Sequence, residues 1–96
     1  MSAVSPDNRP RLAPKARLRW DRKAARYMLL YPERGLVLNA TAADVVQLCT
    51  GEHTVSDIVE RLTARYAAQP RAAIEQEVLT FLARMAERGL IRNGDD

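Results

Sequence analysis

The hydrophobic pattern of this 96-residue chain changes period once, near residue 40, and that switch constrains the fold more than any single motif. Leu18 and Trp20 alternate with Arg17, Arg19 and Asp21, the signature of a half-buried strand. Arg26-Tyr27-Met28-Leu29-Leu30-Tyr31 is apolar or aromatic on both faces, as a central strand is. Pro32-Glu33-Arg34-Gly35 is a turn signal, and Leu36, Val37, Leu38 and Asn39 follow as a third, short strand. Three strands with short links make an antiparallel meander.

From Thr41 onward apolar residues recur every three to four positions. Thr41-Ala42-Ala43-Asp44 reads as a helix cap with its acid three residues on, leading to Val45, Val46 and Cys49 and a stop at Gly51. Thr54-Val55-Ser56-Asp57 repeats the device before Ile58, Val59, Leu62 and Tyr66. Pro70 is placed as the first residue of a third helix, which runs to about Arg88 and ends at Gly89 in a Schellman-type stop with Leu90. The expected fold is α+β: a three-stranded antiparallel meander followed by three helices, winged-helix-like with the wing moved to the N-terminus. Residues 1–13 are expected to be a flexible arm, 14–92 a single domain and 93–96 a polar tail. One core organises roughly 100–150 residues, so there is room for one domain and little for an enclosed active site.

Composition excludes most chemistry. Cys49 is the only cysteine and His53 the only histidine, so neither a disulfide nor a thiolate or histidine metal cluster can form within the chain. Cys49 lies in an apolar periodic stretch and reads as a buried free thiol; His53 reads as a loop residue. Glu75 and Glu77 are two apart and point in different directions on a helix. The four glycines are isolated, leaving no phosphate loop and no nucleophile elbow. No enzyme, cofactor or metal is expected. No apolar run is long enough to span a membrane, and a cytoplasmic protein is expected. Charge is uneven: residues 1–26 hold eight basic residues against two acids, the rest seven arginines against ten acids. The basic front end, notably Arg17, Arg19, Arg22 and Lys23, offers a surface to an acidic partner.

A binding role has better support. At about 100° per residue, Ile74, Val78, Phe81 and Met85 share one stripe of the third helix, and Leu79, Leu82 and Ala86, with Glu75, widen it to roughly 160°. That excess suggests a second facet. Strand three carries neither Lys nor Pro, the usual blockers of a sheet edge. If it is an edge beside helix three, residues Leu36, Val37, Leu38 and Asn39 give one wall of a groove and Glu75, Val78, Leu79 and Leu82 the other. An extended peptide could add there as a further strand.

The ordered segments Arg11-Leu12-Ala13-Pro14-Lys15-Ala16-Arg17-Leu18-Arg19, Leu29-Leu30-Tyr31-Pro32-Glu33-Arg34, Leu38-Asn39-Ala40-Thr41-Ala42, Leu48-Cys49-Thr50-Gly51, Thr54-Val55 and Gly89-Leu90-Ile91 resemble the PqqD family of pyrroloquinoline quinone (PQQ) biosynthesis. The likeness spans about residues 11–92. Thr50 departs from it, where the family is associated with an acidic or amide residue. The resemblance implies a non-catalytic chaperone that binds the precursor peptide PqqA as a strand beside strand three and helix three. It would present that peptide to the radical-SAM enzyme PqqE. The cations Arg17, Arg19, Arg22 and Lys23 would then meet the enzyme or acidic residues of the peptide. Two other readings are a winged-helix nucleic-acid binder and a structural homo-oligomer such as a homodimer. Against the first, Arg71, Arg84 and Arg88 are offset by Glu75, Glu77 and Glu87, which leaves no basic face for phosphates, so no nucleic acid is expected.

Overall fold

The computed structural model describes residues 4–32 and 34–94. The meander forms in the expected order: β2 (Arg17–Asp21), β3 (Arg26–Tyr31) and β4 (Arg34–Val37) lie as β2-β3-β4, all antiparallel, but the third strand opens at Arg34, inside the expected turn, and ends at Val37 rather than Asn39. Asp21 stabilises the first hairpin, its carboxylate accepting from the backbone N–H of Lys23 and Ala24. The helices are α1 (Ala40–Gln47), α2 (Val55–Arg65) and α3 (Arg71–Glu87). They bury Val45, Ile58, Ile74, Val78 and Leu82 against Leu29 of the central strand and cover one face of the sheet. Burial of this aliphatic set is the main stabilising term, at about 25 cal/mol per Å² of apolar area.

Capping decides where each helix begins. Thr54 and Asp57 form the expected reciprocal box, the Thr54 hydroxyl accepting from Asp57 N–H and the Asp57 carboxylate from Thr54 N–H. Helix α1 starts earlier than expected. Asn39 leaves the sheet in extended geometry and its Oδ1 accepts from Ala42 N–H at 2.8 Å, so Asn39 takes the role assigned to Thr41. Pro70 occupies the cap position of α3 and Arg71 the first helical one. At the other end of α3, Gly89 N–H donates to the Ala86 carbonyl and Leu90 N–H to that of Met85, the expected Schellman pattern, with Gly89 at φ +71°. Gly51 does not stop α1, which ends at Gln47 with Leu48 as its cap.

The N-terminal segment corrects a further expectation, because it is docked from Ser5 onward. Strand β1 (Arg11–Leu12) pairs with β5 (Ile91–Arg92) and ties the two ends of the chain together. Leu12 N–H donates to the Cys49 carbonyl and Ala13 N–H to that of Leu90. Gly51, at φ +87°, lies under this segment and donates to the Pro10 carbonyl; a Cβ there would strike the Arg11 guanidinium. The physical cause lies at α2. The first N–H groups of a helix have no partner within it, and here those of Val55 and Ser56 donate to the carbonyls of Asn8 and Pro6 at 2.8 and 3.1 Å. Polar composition marked the segment as an arm, but backbone donors in need of acceptors hold it down. Residues 1–3 and 95–96, parts of the expected arm and tail, lie outside the described residues, as does Glu33 in the expected turn.

Deleting residues 1–10 removes three of these bonds, each contributing about 1 kcal/mol. The truncated protein is expected to lose about 3 kcal/mol in urea unfolding; an unchanged midpoint would show that the segment is not part of the folded unit.

Candidate functional site

The phase of β4 decides what its rim can offer. Leu38 N–H donates inward to the Tyr27 carbonyl at 3.0 Å, extending the ladder one residue past the strand. Hydrogen-bonded and non-bonded pairs alternate along an antiparallel ladder. Leu36 is therefore also turned toward β3, while the N–H and C=O of Gly35 and Val37 point away from the sheet. No strand pairs with that side of β4 among the described residues. Side chains follow the same alternation. Leu36 and Leu38 stand on the helix-covered face, whereas Val37 stands on the bare face and is 50% exposed.

This divides the expected wall residues. Val37 is on the rim, and Leu36 is half-buried at its inner margin. Leu38 is buried core, and Asn39 belongs to the cap of α1. On α3, Val78 and Leu82 are fully buried and offer no surface, because the helix seats its 74, 78, 82 and 85 positions in the core. Leu79 and Glu75 are half-buried. Glu75 is drawn toward α2: Arg71 lies 3.8 Å from its carboxylate and donates to Glu60 of α2 at 2.9 Å.

Two residues of α3 were missed. Phe81 sits mid-stripe, between positions that are fully buried, yet is itself only half-buried. Its ring packs against the buried core while part of it stays accessible. On a helical projection Arg88, the α3 cap, lies within about 20° of Phe81. It meets the start of β4 across a hollow of about 300 Å³ lined by Lys15, Tyr31, Pro32, Arg34 and Arg88. The C-terminal end of α3, with Arg88 in line with Phe81, is thereby brought to the start of β4. The pattern of apolar residues could not reveal that Phe81 is only half-buried, because it matches a core position in sequence.

The bare sheet face gathers the basic residues. Cross-strand partners share a face, and the register sets Arg17 beside Leu30 and Gly35, and Arg19 beside Met28 and Val37. Arg19, Arg22 and Lys23 line a hollow of about 670 Å³ with Trp20, Asp21, Met28 and Leu30. Exposed Trp20 contacts Tyr27 edge-on at a 5.0 Å ring separation. A water-facing strand normally alternates to polar residues; β3 instead shows Met28 and Leu30 there, ringed by cations.

The titratable groups elsewhere hold structure together. Burial pushes the Cys49 thiol up to about 12, so it stays protonated and inert at neutral pH. Tyr66 donates its hydroxyl to Asp44, which Arg65 also approaches at 3.4 Å, and this bond raises the tyrosine above its ordinary value. Among the described residues no group of three His, Cys, Asp or Glu could hold a metal ion, and no helix is long and apolar enough to cross a membrane.

A three-stranded sheet closed on one face by three helices, with no strand beside β4 among the described residues, defines a small winged-helix-like α+β module. Residues 26–91 match the family model of Coenzyme PQQ synthesis protein D, and the chain belongs to this PqqD family. It is 37% identical over 90 residues to the PqqA binding protein of Methylococcus capsulatus, covering 94% of each chain. It is 38% identical to the bifunctional coenzyme PQQ synthesis protein C/D of Methylorubrum extorquens, covering 94% of this chain and 24% of that longer one. Among solved structures it is similar to the PqqD truncation of Methylobacterium extorquens PqqCD, a stand-alone recognition element for ribosomally synthesised, modified peptides. That match has a TM-score of 0.79 at 36% identity over 94% of this chain and 95% of that one. PqqD from Xanthomonas campestris gives 0.57 at 29% identity, covering 94% and 99%.

The Tyr66–Asp44 bond generates a pH effect with a defined sign. A raised tyrosine value means the neutral hydroxyl is stabilised in the folded state, so the contribution is complete at neutral pH and lost as pH rises past the ordinary tyrosine value near 10. Stability followed by urea unfolding is expected to fall more steeply on the alkaline side for the native protein than for Tyr66→Phe; parallel curves would show that the bond does not form.

Proposed function

We propose that this chain is a non-catalytic chaperone that binds the precursor peptide PqqA by strand addition along β4 and presents it to the radical-SAM enzyme PqqE. The observation that carries the reading is the outward phase of Gly35 and Val37, two unpaired residues of backbone on an edge without Lys or Pro. Backbone pairing supplies affinity in this mode and side-chain pockets supply selectivity. Relatives of near-equal length are PqqA binding proteins, which supports the same guest here. In this reading every second guest side chain turns inward, toward half-buried Leu36 and Phe81, and the others stand beside Val37 on the bare sheet face. The cationic, apolar-centred face formed by Arg17, Arg19, Arg22, Lys23, Met28 and Leu30 is then the surface for the enzyme, which meets the sheet and the guest together.

Titrating synthetic PqqA into labelled protein is expected to shift the Gly35 and Val37 amides in NMR spectra; shifts confined to residues 1–26 would overturn the strand-addition reading. Two proline substitutions separate binding from folding. Val37→Pro removes an outward donor from an edge strand, where proline is tolerated, and is expected to weaken binding about tenfold while the protein remains folded. Leu38→Pro removes the inward bond to Tyr27 and is expected to cost about 3 kcal/mol of stability. Equal effects of the two on thermal melting would contradict the assigned phase.

A further inference from the structure

The hollow at the hairpin end of β4 brings together three cations from three separate elements. Lys15 comes from the link between β1 and β2, Arg34 opens β4, and Arg88 caps α3; Tyr31 and Pro32 complete the lining. The Lys15 ammonium stands 3.5 Å from where a Cβ on Gly89 would lie, so it rests against the end of α3. The ion pairs between described residues, Arg65 with Asp44 and Arg71 with Glu60 and Glu75, lie elsewhere. Like charges gathered at one site repel, and an anionic group placed among them relieves that repulsion.

The dipole of α3 explains part of this, since its C-terminal end favours a cation. It does not explain three. Three of the last carbonyls of α3 are already taken: Arg84 accepts from Arg88 N–H, Ala86 from Gly89 and Met85 from Leu90. No cation is needed to satisfy them, and Arg34 arrives from the sheet rather than from the helix.

We infer that this hollow receives a side-chain carboxylate of the bound peptide and so fixes the direction and register of the guest strand. The inference rests on the reading of β4 as the guest's wall. A strand added antiparallel to β4, as every neighbour in this sheet is paired, runs from Val37 toward Arg34 and leaves the rim over the hollow. At about 3.4 Å per residue, the guest residue one or two positions beyond its pairing with Gly35 reaches the cations. Guanidinium groups suit a carboxylate, because their paired N–H donors match its two oxygens. Guest backbone alone has no sequence, so a charged anchor at one end supplies what strand pairing lacks.

The test uses synthetic PqqA with an amidated C-terminus, which leaves side chains as its only carboxylates, and a set in which each Glu or Asp is replaced in turn by Gln or Asn. Binding is measured by calorimetry to the native protein, to Arg34→Gln/Arg88→Gln, to Lys15→Gln, and to Arg61→Gln as a charge control on α2. The double variant is expected to bind about fivefold or more weakly, Lys15→Gln about twofold, and the control within error of native. One peptide substitution, C-terminal to the paired segment, is expected to lose the same factor against native protein and nothing further against the double variant. If the double variant binds as tightly as the control, or every peptide carboxylate acts additively with it, the inference is overturned. The Gly35 and Val37 amide shifts are followed in parallel. Shifts that persist without any charge effect remove the carboxylate anchor alone, whereas their absence removes the strand-addition reading and the anchor with it.

Discussion

One backbone bond, from Leu38 N–H to the Tyr27 carbonyl, sets the phase of the whole β4 edge. In a ladder of period two, fixing one pair fixes all others. Leu36 and Leu38 are thereby sent into the helix-covered side with Leu29, Val37 is sent to the bare face, and the free donors and acceptors of Gly35 and Val37 are aimed outward. The same bond ends the ladder where Asn39 must turn away to cap α1. A slip by one residue would bury Val37, expose Leu38 and misplace the cap, so core, helix start and rim reinforce a single register. Buried Leu29, 0% exposed and central to the sheet, is what makes the alternative costly.

The two edges of the sheet are not equivalent. Strand β2 carries Arg17, Arg19 and Asp21 along its length, and charged side chains discourage another backbone from pairing. Strand β4 reads Arg-Gly-Leu-Val, with its one charge at the hairpin end. In the proposed reading this asymmetry gives a guest strand one place to add. Gly35 contributes by its lack of a side chain: Leu30 and Met28 reach over it, within 3.1 Å of where a Cβ would stand, leaving that stretch of rim low and its backbone accessible.

Much of this was legible in the sequence because it depends on local periodicity and turn chemistry. The order of three strands and three helices, the Thr54–Asp57 box and the Gly89 stop all follow from residues within one turn of each other. What was not legible depends on partners distant in the chain. Nothing near Pro6 and Asn8 announces that their carbonyls are required by Val55 and Ser56, nearly fifty residues away. Val78 and Leu82 were assigned to a groove because periodicity gives the width of an apolar arc but not which part the core takes. The sequence pattern marked Thr41 as the cap and left Asn39 in the strand; the inward turn of Leu38 decides for Asn39, since the residue after the last ladder bond is the one free to leave the sheet.

Closure elsewhere in the molecule explains why an open edge can persist on so small a chain. A domain of this size buries only about 60% of its unfolded surface and has little stability to spare. Here the termini are joined by β1 and β5, α2's first donors are satisfied by the incoming segment, and α3's last carbonyls by its own Schellman turn. The rim of β4 stands outside these bonds, so in the proposed reading a guest strand arrives and leaves without breaking a bond on which the fold depends. Under the proposed function, an edge that also sealed the core would couple release of the peptide to partial unfolding; separating the two lets the peptide leave a protein that stays folded.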